Sequence, residues 1–149
     1  MTWFPVLLAT HIVLAVSLLL PSVLLPFVLR RSQGDPGPFT RGLMAMQGTG
    51  TLIIGAGLAV TGAAMLWILG PQLLTQPWLL VALTLYALNL IVAAVVSRPN
   101  LRALVGLRDA GGDDEAWRRR ARRQRLIAYG MAGAIGVIGF LMSTKPELW

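Results

Sequence analysis

Four apolar runs dominate the chain, at about residues 3–29, 43–69, 78–96 and 126–142. Each reaches the roughly 17–25 residues that a membrane-spanning helix needs. The first two hold 27 residues each. That is a rise of about 40 Å against a hydrocarbon core of about 30 Å, so both should tilt or project beyond it. Pro21 and Pro26 fall inside the first run and each removes a backbone hydrogen bond, which predicts a kink there. Between the runs the chain carries breakers: Gly34-Asp35-Pro36-Gly37-Pro38, then Gly70-Pro71, then Ala110-Gly111-Gly112. Asp113, Asp114 and Glu115 follow the last of these, where a helix N-terminus favours negative charge. Asp114 with Arg118 and Glu115 with Arg119 have helical i,i+4 spacing. The fourth helix is therefore expected to begin near Asp113 and to enter the membrane past Arg125. The expected fold is all-α, a polytopic four-helix membrane bundle in one domain.

Within the runs, small and polar residues mark the faces that should meet, because lipid accepts any bulky apolar side chain. In the second run Gln47, Thr51, Gly55, Ala59 and Ala63 recur every fourth residue, with Thr61 and Gly62 near the same face. Gly130, Gly133, Gly136 and Gly139 punctuate the fourth at every third position, a series that drifts around the helix and is expected to serve helix packing. His11, Ala15, Leu18 and Ser22 share one face of the first helix, and Ala82, Tyr86, Asn89 and Ala93 one face of the third. Both faces should look inward, since histidine and asparagine are costly against lipid.

Charge orients the bundle. Arg30, Arg31 and Arg41 lie between helices 1 and 2, and nine arginines with four acids lie in the loop 97–125. The link between helices 2 and 3 is uncharged, and Lys145 is the only basic residue after helix 4. By the positive-inside rule both termini are non-cytoplasmic and 97–125 is a cytoplasmic basic loop. Trp3, Trp67, Trp78 and Trp149 fall near the opposite boundary, as an interfacial belt would. The first run lacks a positive leader and exceeds the roughly 7–15 residues of a signal-peptide core, so it is expected to stay as a helix.

Composition sharpens this picture. Among 149 residues, 56% are apolar and only 13% charged, far from the balance of a soluble domain. The net charge of +7 resides in the links rather than on a nucleic-acid-binding face. There is no cysteine, which removes disulfides, thiolate metal sites and thiol nucleophiles. Arginine outnumbers lysine 12 to 1, a bias of GC-rich bacterial genomes, and a bacterial inner membrane is the expected setting.

Candidate chemistry is sparse. His11, the single histidine, can ligate a haem or metal, pass a proton, or simply bond a neighbouring helix. Met65 and Met142 lie toward the same side of the membrane and are candidate second haem ligands, though methionine is also a common gap filler. Gln47 and Asn89 can bond between helices or line a ligand pocket. The run Arg118, Arg119, Arg120, Arg122, Arg123 and Arg125 serves topology and can seat anionic lipid headgroups or an acidic partner. No phosphate-cradling glycine loop, nucleophilic triad or paired carboxylates appear, so hydrolase chemistry is unsupported.

Leu8-Ala9-Thr10-His11-Ile12-Val13, Leu25-Pro26-Phe27-Val28-Leu29-Arg30, Thr61-Gly62 and Trp78-Leu79-Leu80-Val81-Ala82-Leu83 carry a family resemblance over about two thirds of the chain. In their order they resemble a group of small bacterial membrane proteins. The group includes the copper-resistance D-type membrane domain, the membrane-type protoporphyrinogen oxidase and uncharacterised four-helix families. The resemblance implies that His11 stands at the group's helix-1 histidine, a haem ligand in the oxidase branch. Phe27 follows Pro26 where that branch would place arginine, and helix 3 carries no histidine. Three readings stay open. One is a non-catalytic accessory subunit, beside other membrane subunits or copies of itself and among anionic lipids. Another is a haem- or porphyrin-binding redox protein using His11, and the third is a small-solute or metal transporter.

Overall fold

The computed structural model describes residues 2–31 and 37–145. Four helices account for nearly all of them: α1 (Trp3–Arg31), α2 (Pro38–Leu69), α3 (Pro77–Asp109) and α4 (Asp114–Thr144). Their lengths of 29 to 33 residues correspond to about 44–50 Å, so each overhangs the membrane that it is apolar enough to cross. No strand occurs among the described residues. The protein is an all-α, four-span membrane protein.

Proline and glycine set the helix ends. Pro38 and Pro77 open α2 and α3, where the missing N–H costs nothing. Gly70, with φ of +104°, stops α2, and a 3-10 turn (Pro71–Thr75) leads to α3. Gly111 takes φ of +67° after α3. There the Gly112 N–H donates to the Leu107 carbonyl at 2.7 Å and the Gly111 N–H to the Arg108 carbonyl at 3.1 Å. The Asp113 carboxylate then accepts from the Glu115 N–H at 3.2 Å and caps α4. The sequence Gly34-Asp35-Pro36 lies outside the described residues.

Two expectations need correcting. The second helix begins at Pro38, before the apolar run, and the third continues to Asp109. The segment 97–125 is therefore a helical hairpin with residues 110–113 as its turn: α3 fills its first part, and α4 begins at Asp114, beside the Asp113 start read from the sequence. The reason is amphipathic spacing: Ser97, Leu101 and Leu104 stay buried on α3, and Trp117, Ala121 and Gln124 stay buried on α4. The helix α1 runs unbroken through Pro21 and Pro26, both buried.

Successive helices stand side by side in chain order, and α4 closes the ring against α1. Two π turns, Met46–Gly50 in α2 and Ala93–Ser97 in α3, face one another where those helices meet. The tightest packing lies at the arginine-bearing end. Leu25 and Leu29 of α1, Leu43 and Met44 of α2, Leu101 and Leu104 of α3, and Trp117 and Ala121 of α4 form one cluster there. At the opposite end Trp78, Leu79 and Ala82 of α3 pack on Leu141 of α4. Trp78 is thus turned into the protein, while Trp3 and Trp67 stay exposed toward the surroundings. Trp149 lies outside the described residues.

Because Leu104 is fully buried where all four helices meet, Leu104→Ala should lower stability in detergent by about 2–5 kcal/mol. Val95→Ala, on the lipid-facing side of α3, should cost under about 0.5 kcal/mol. Denaturant unfolding followed by circular dichroism checks both, and equal losses would contradict the assigned core.

Candidate functional site

Polar side chains inside the spans sit in separate groups. Between α1 and α2, His11 Nδ1 and Thr61 Oγ1 share a hydrogen bond of 2.8 Å whose direction depends on the imidazole tautomer. The threonine hydroxyl lies 3.0 and 3.1 Å from the Gly57 and Leu58 carbonyls, and when it donates there the imidazole carries its proton on Nδ1. The His11 Nε2 lone pair is then left uncommitted. Cε1 of the same ring stands 3.5 Å from where a Cβ on Gly62 would be, so glycine lets the imidazole lie against α2.

Deeper toward the basic end, Ser22 Oγ donates to Gln47 Oε1 at 3.1 Å, and Gln47 Nε2 donates to Met131 Sδ at 3.2 Å. These bonds link α1, α2 and α4 around a fully buried amide. Thr51 Oγ1 donates to the Gln47 carbonyl at 2.7 Å, answering an acceptor at the π turn. Tyr86 of α3 donates its hydroxyl to the Gly55 carbonyl of α2. A Cβ on Gly55 would stand 2.5 Å from Leu90 Cδ2, so this glycine is a point of close helix approach.

A further group joins α3 to α4. Gln124 Nε2 donates to Ser97 Oγ at 2.9 Å, and Asn100 Nδ2 donates to Gln124 Oε1 at 3.0 Å and to the Arg120 carbonyl at 3.2 Å. None of Ser97, Asn100 and Gln124 stands out by charge or by placement in an apolar run. The available signal is their spacing: Trp117, Ala121 and Gln124 are the uncharged positions, at i, i+4 and i+7, within an arginine-rich stretch.

Several sequence-derived site residues lie elsewhere than expected. Met65 is one turn past Thr61 on α2 and half-buried, but Met142 packs with the Trp78 cluster between α3 and α4. His11 and Met142 are thus engaged on different helix pairs. Ala59 and Ala63 are exposed. A four-residue repeat overshoots the helical turn of about 3.6, so the face that begins at Gln47, Thr51 and Gly55 passes to Leu58 and Thr61. Asn89 is buried on α3, yet its Nδ2 has no acceptor. It lines a groove of about 230 Å³ between Leu88 and Val92 on α3 and Gly130, Met131 and Ala134 on α4. Gly130, Gly133, Gly136 and Gly139 are exposed, and a Cβ on any of them would meet nothing within 4 Å. Within this chain they mediate no packing, because a repeat of three winds off the buried face.

The arginines form the most polar surface. Arg119 lies 3.7 Å from Glu115, and Arg41 meets Asp109 at 3.2 Å, both pairs exposed. Arg118, Arg122 and Arg123 are exposed, and Arg125 is half-buried. Among the described residues no three His, Asp or Glu side chains come together as a metal site.

A ring of four apolar helices with a few bonded polar groups inside and a basic end defines a polytopic α-helical integral membrane protein. The chain belongs to the family described as predicted integral membrane protein (DUF2269), whose model matches residues 5–146. No curated protein and no solved structure matches it. The match supports a membrane-protein family and supports neither the copper-resistance D-type nor the protoporphyrinogen oxidase resemblance.

Gln124→Leu should strand the Ser97 hydroxyl and the Asn100 amide, costing about 1–3 kcal/mol in detergent unfolding, and a neutral result would remove the network's structural weight. The two kinds of glycine predict opposite signs. Gly133→Ala should stabilise the isolated chain by about 0.5–1 kcal/mol through helix propensity. Gly55→Leu should destabilise it by about 1–3 kcal/mol through overpacking against Leu90. Thermal unfolding of the two variants in one detergent decides the matter.

Proposed function

We propose that the protein is a non-catalytic accessory subunit of a membrane assembly, seating a partner transmembrane helix in the groove between α3 and α4. The supporting observation is the Asn89 amide, buried in the groove wall with no acceptor for its Nδ2 hydrogens. Hydrocarbon offers no acceptor, and an unanswered donor there is costly. A carbonyl or hydroxyl on a helix that seats in the groove and displaces the side chains over the amide would answer it. Beside the groove the exposed glycines leave α4 without side chains to hold a neighbour away, the surface on which membrane helices approach closely. The arginine-bearing end then faces a bacterial cytoplasm by the positive-inside rule.

Site-specific photocrosslinking in intact membranes tests this reading. A crosslinker at Leu88, in the groove wall, should give a discrete protein adduct that weakens in Asn89→Leu. One at Val60, on the lipid-facing side of α2, should not. Equal yields from both positions would refute the groove as a seat, and an adduct with a second copy would make the assembly a homo-oligomer.

A second reading, haem or porphyrin binding, draws on the His11 Nε2 lone pair that Thr61 leaves uncommitted and on Met65 along the same α2 face. It requires a Soret band in gently purified protein that disappears in His11→Ala. Protein without such a band, in a preparation that retains its membrane partners, supports the accessory reading.

A further inference from the structure

The arginines at the basic end are not equivalent. Arg119 leans on Glu115, and Arg120 Nη1 donates to Asn100 Oδ1 at 3.5 Å. Arg118, Arg122 and Arg125 occupy another side of α4, at i, i+4 and i+7. They line a cavity of about 380 Å³ with Arg30 from the end of α1 and Arg108 from α3. Leu29 and Ala121 supply part of its apolar wall. Among the described residues Asp114 is the single carboxylate lining it, and it is already held by Arg108 Nη1 at 2.9 Å. Five guanidinium groups less one carboxylate leave a net charge of +4 around one concavity.

Trp117 also lines this cavity and is only 3% exposed, with the Arg108 guanidinium stacked 4.6 Å from its ring centroid. The indole Nε1–H of Trp117 and the Nε–H of Arg108 are both buried without an acceptor. Four uncompensated positive charges converging on one concavity call for an oxyanion.

We infer that this cavity binds the phosphate of an anionic phospholipid. The phosphate oxygens accept from the arginine forks, whose planar geometry suits two-point contact. The adjoining surface of α4 favours a lipid over a soluble phosphate. Just beyond Arg125, at the start of the apolar run, Leu126 and Tyr129 are exposed. The acyl chains of a lipid held at the arginines therefore lie along a surface that already faces hydrocarbon. Basic pockets between helix ends on the cytoplasmic side suit such headgroups.

The test uses full-length protein in neutral detergent, titrated with dioleoylphosphatidylglycerol, dioleoylphosphatidylcholine or inorganic phosphate. Bound molecules are counted by native mass spectrometry, and thermal unfolding is followed in parallel. Phosphatidylglycerol should bind at one site per chain and raise the midpoint, whereas phosphatidylcholine should do neither. Arg118→Gln and Arg122→Gln, both at exposed positions that leave the core intact, should each weaken binding about fivefold. Arg123→Gln, outside the cavity, should leave affinity unchanged. Equal loss in Arg123→Gln and Arg122→Gln would overturn the pocket in favour of diffuse surface charge. Inorganic phosphate binding as tightly as phosphatidylglycerol would overturn the lipid assignment, and so would equal binding of phosphatidylcholine.

Discussion

Hydrocarbon cannot hydrogen-bond, and that constraint organises this molecule from the choice of helices down to single side chains. Each span satisfies its backbone within itself. Polar side chains that enter the bundle then find partners inside the protein: His11 with Thr61, Ser22 with Gln47, Tyr86 with the Gly55 carbonyl. The Asn89 Nδ2 is buried without one, and a groove opens beside it. The energetic logic is one of avoidance more than attraction. A bond of this kind contributes modestly against an already bonded alternative, while an unmade one is expensive.

Where water returns, the rules change and so does the architecture. The helices α3 and α4 keep going past the apolar runs, held by Leu101, Leu104, Trp117 and Ala121 packing as they would in a soluble hairpin. The ordinary hydrophobic effect drives packing on this side, and hydrogen bonding with close contact drives it deeper in. The Gln124–Ser97–Asn100 group sits between the two regimes. The π turn ending at Ser97 and the one beginning at Met46 meet next to it, so each helix resets its register at the same level.

Much of this was legible in the sequence. Long apolar runs gave the number of spans, and Gly70, Gly111 and Asp113 gave helix ends whose geometry follows from their backbone and capping chemistry. The inward faces of α1 and α3 could be read from His11, Ser22, Tyr86 and Asn89 because polar groups have few places to go in lipid. What escaped had physical reasons. Helix continuation beyond Val96 was hidden because the rule of about 20 residues measures the membrane and not the helix. Fixed repeats of three or four leave the buried face at Ala59, Ala63 and the α4 glycines, since neither matches the helical period. The Trp117–Arg108 cavity needs α1, α3 and α4 brought together, and no local pattern announces that meeting.

The hairpin beyond the membrane has a mechanical consequence. Twelve residues of α3, Arg98–Asp109, rise about 18 Å to a tip fixed by two glycines and an aspartate cap. Joined at that tip and tied together lower down through Gln124, Ser97 and Asn100, the two rods leave only residues 110–113 outside regular helix between the membrane end of α3 and that of α4.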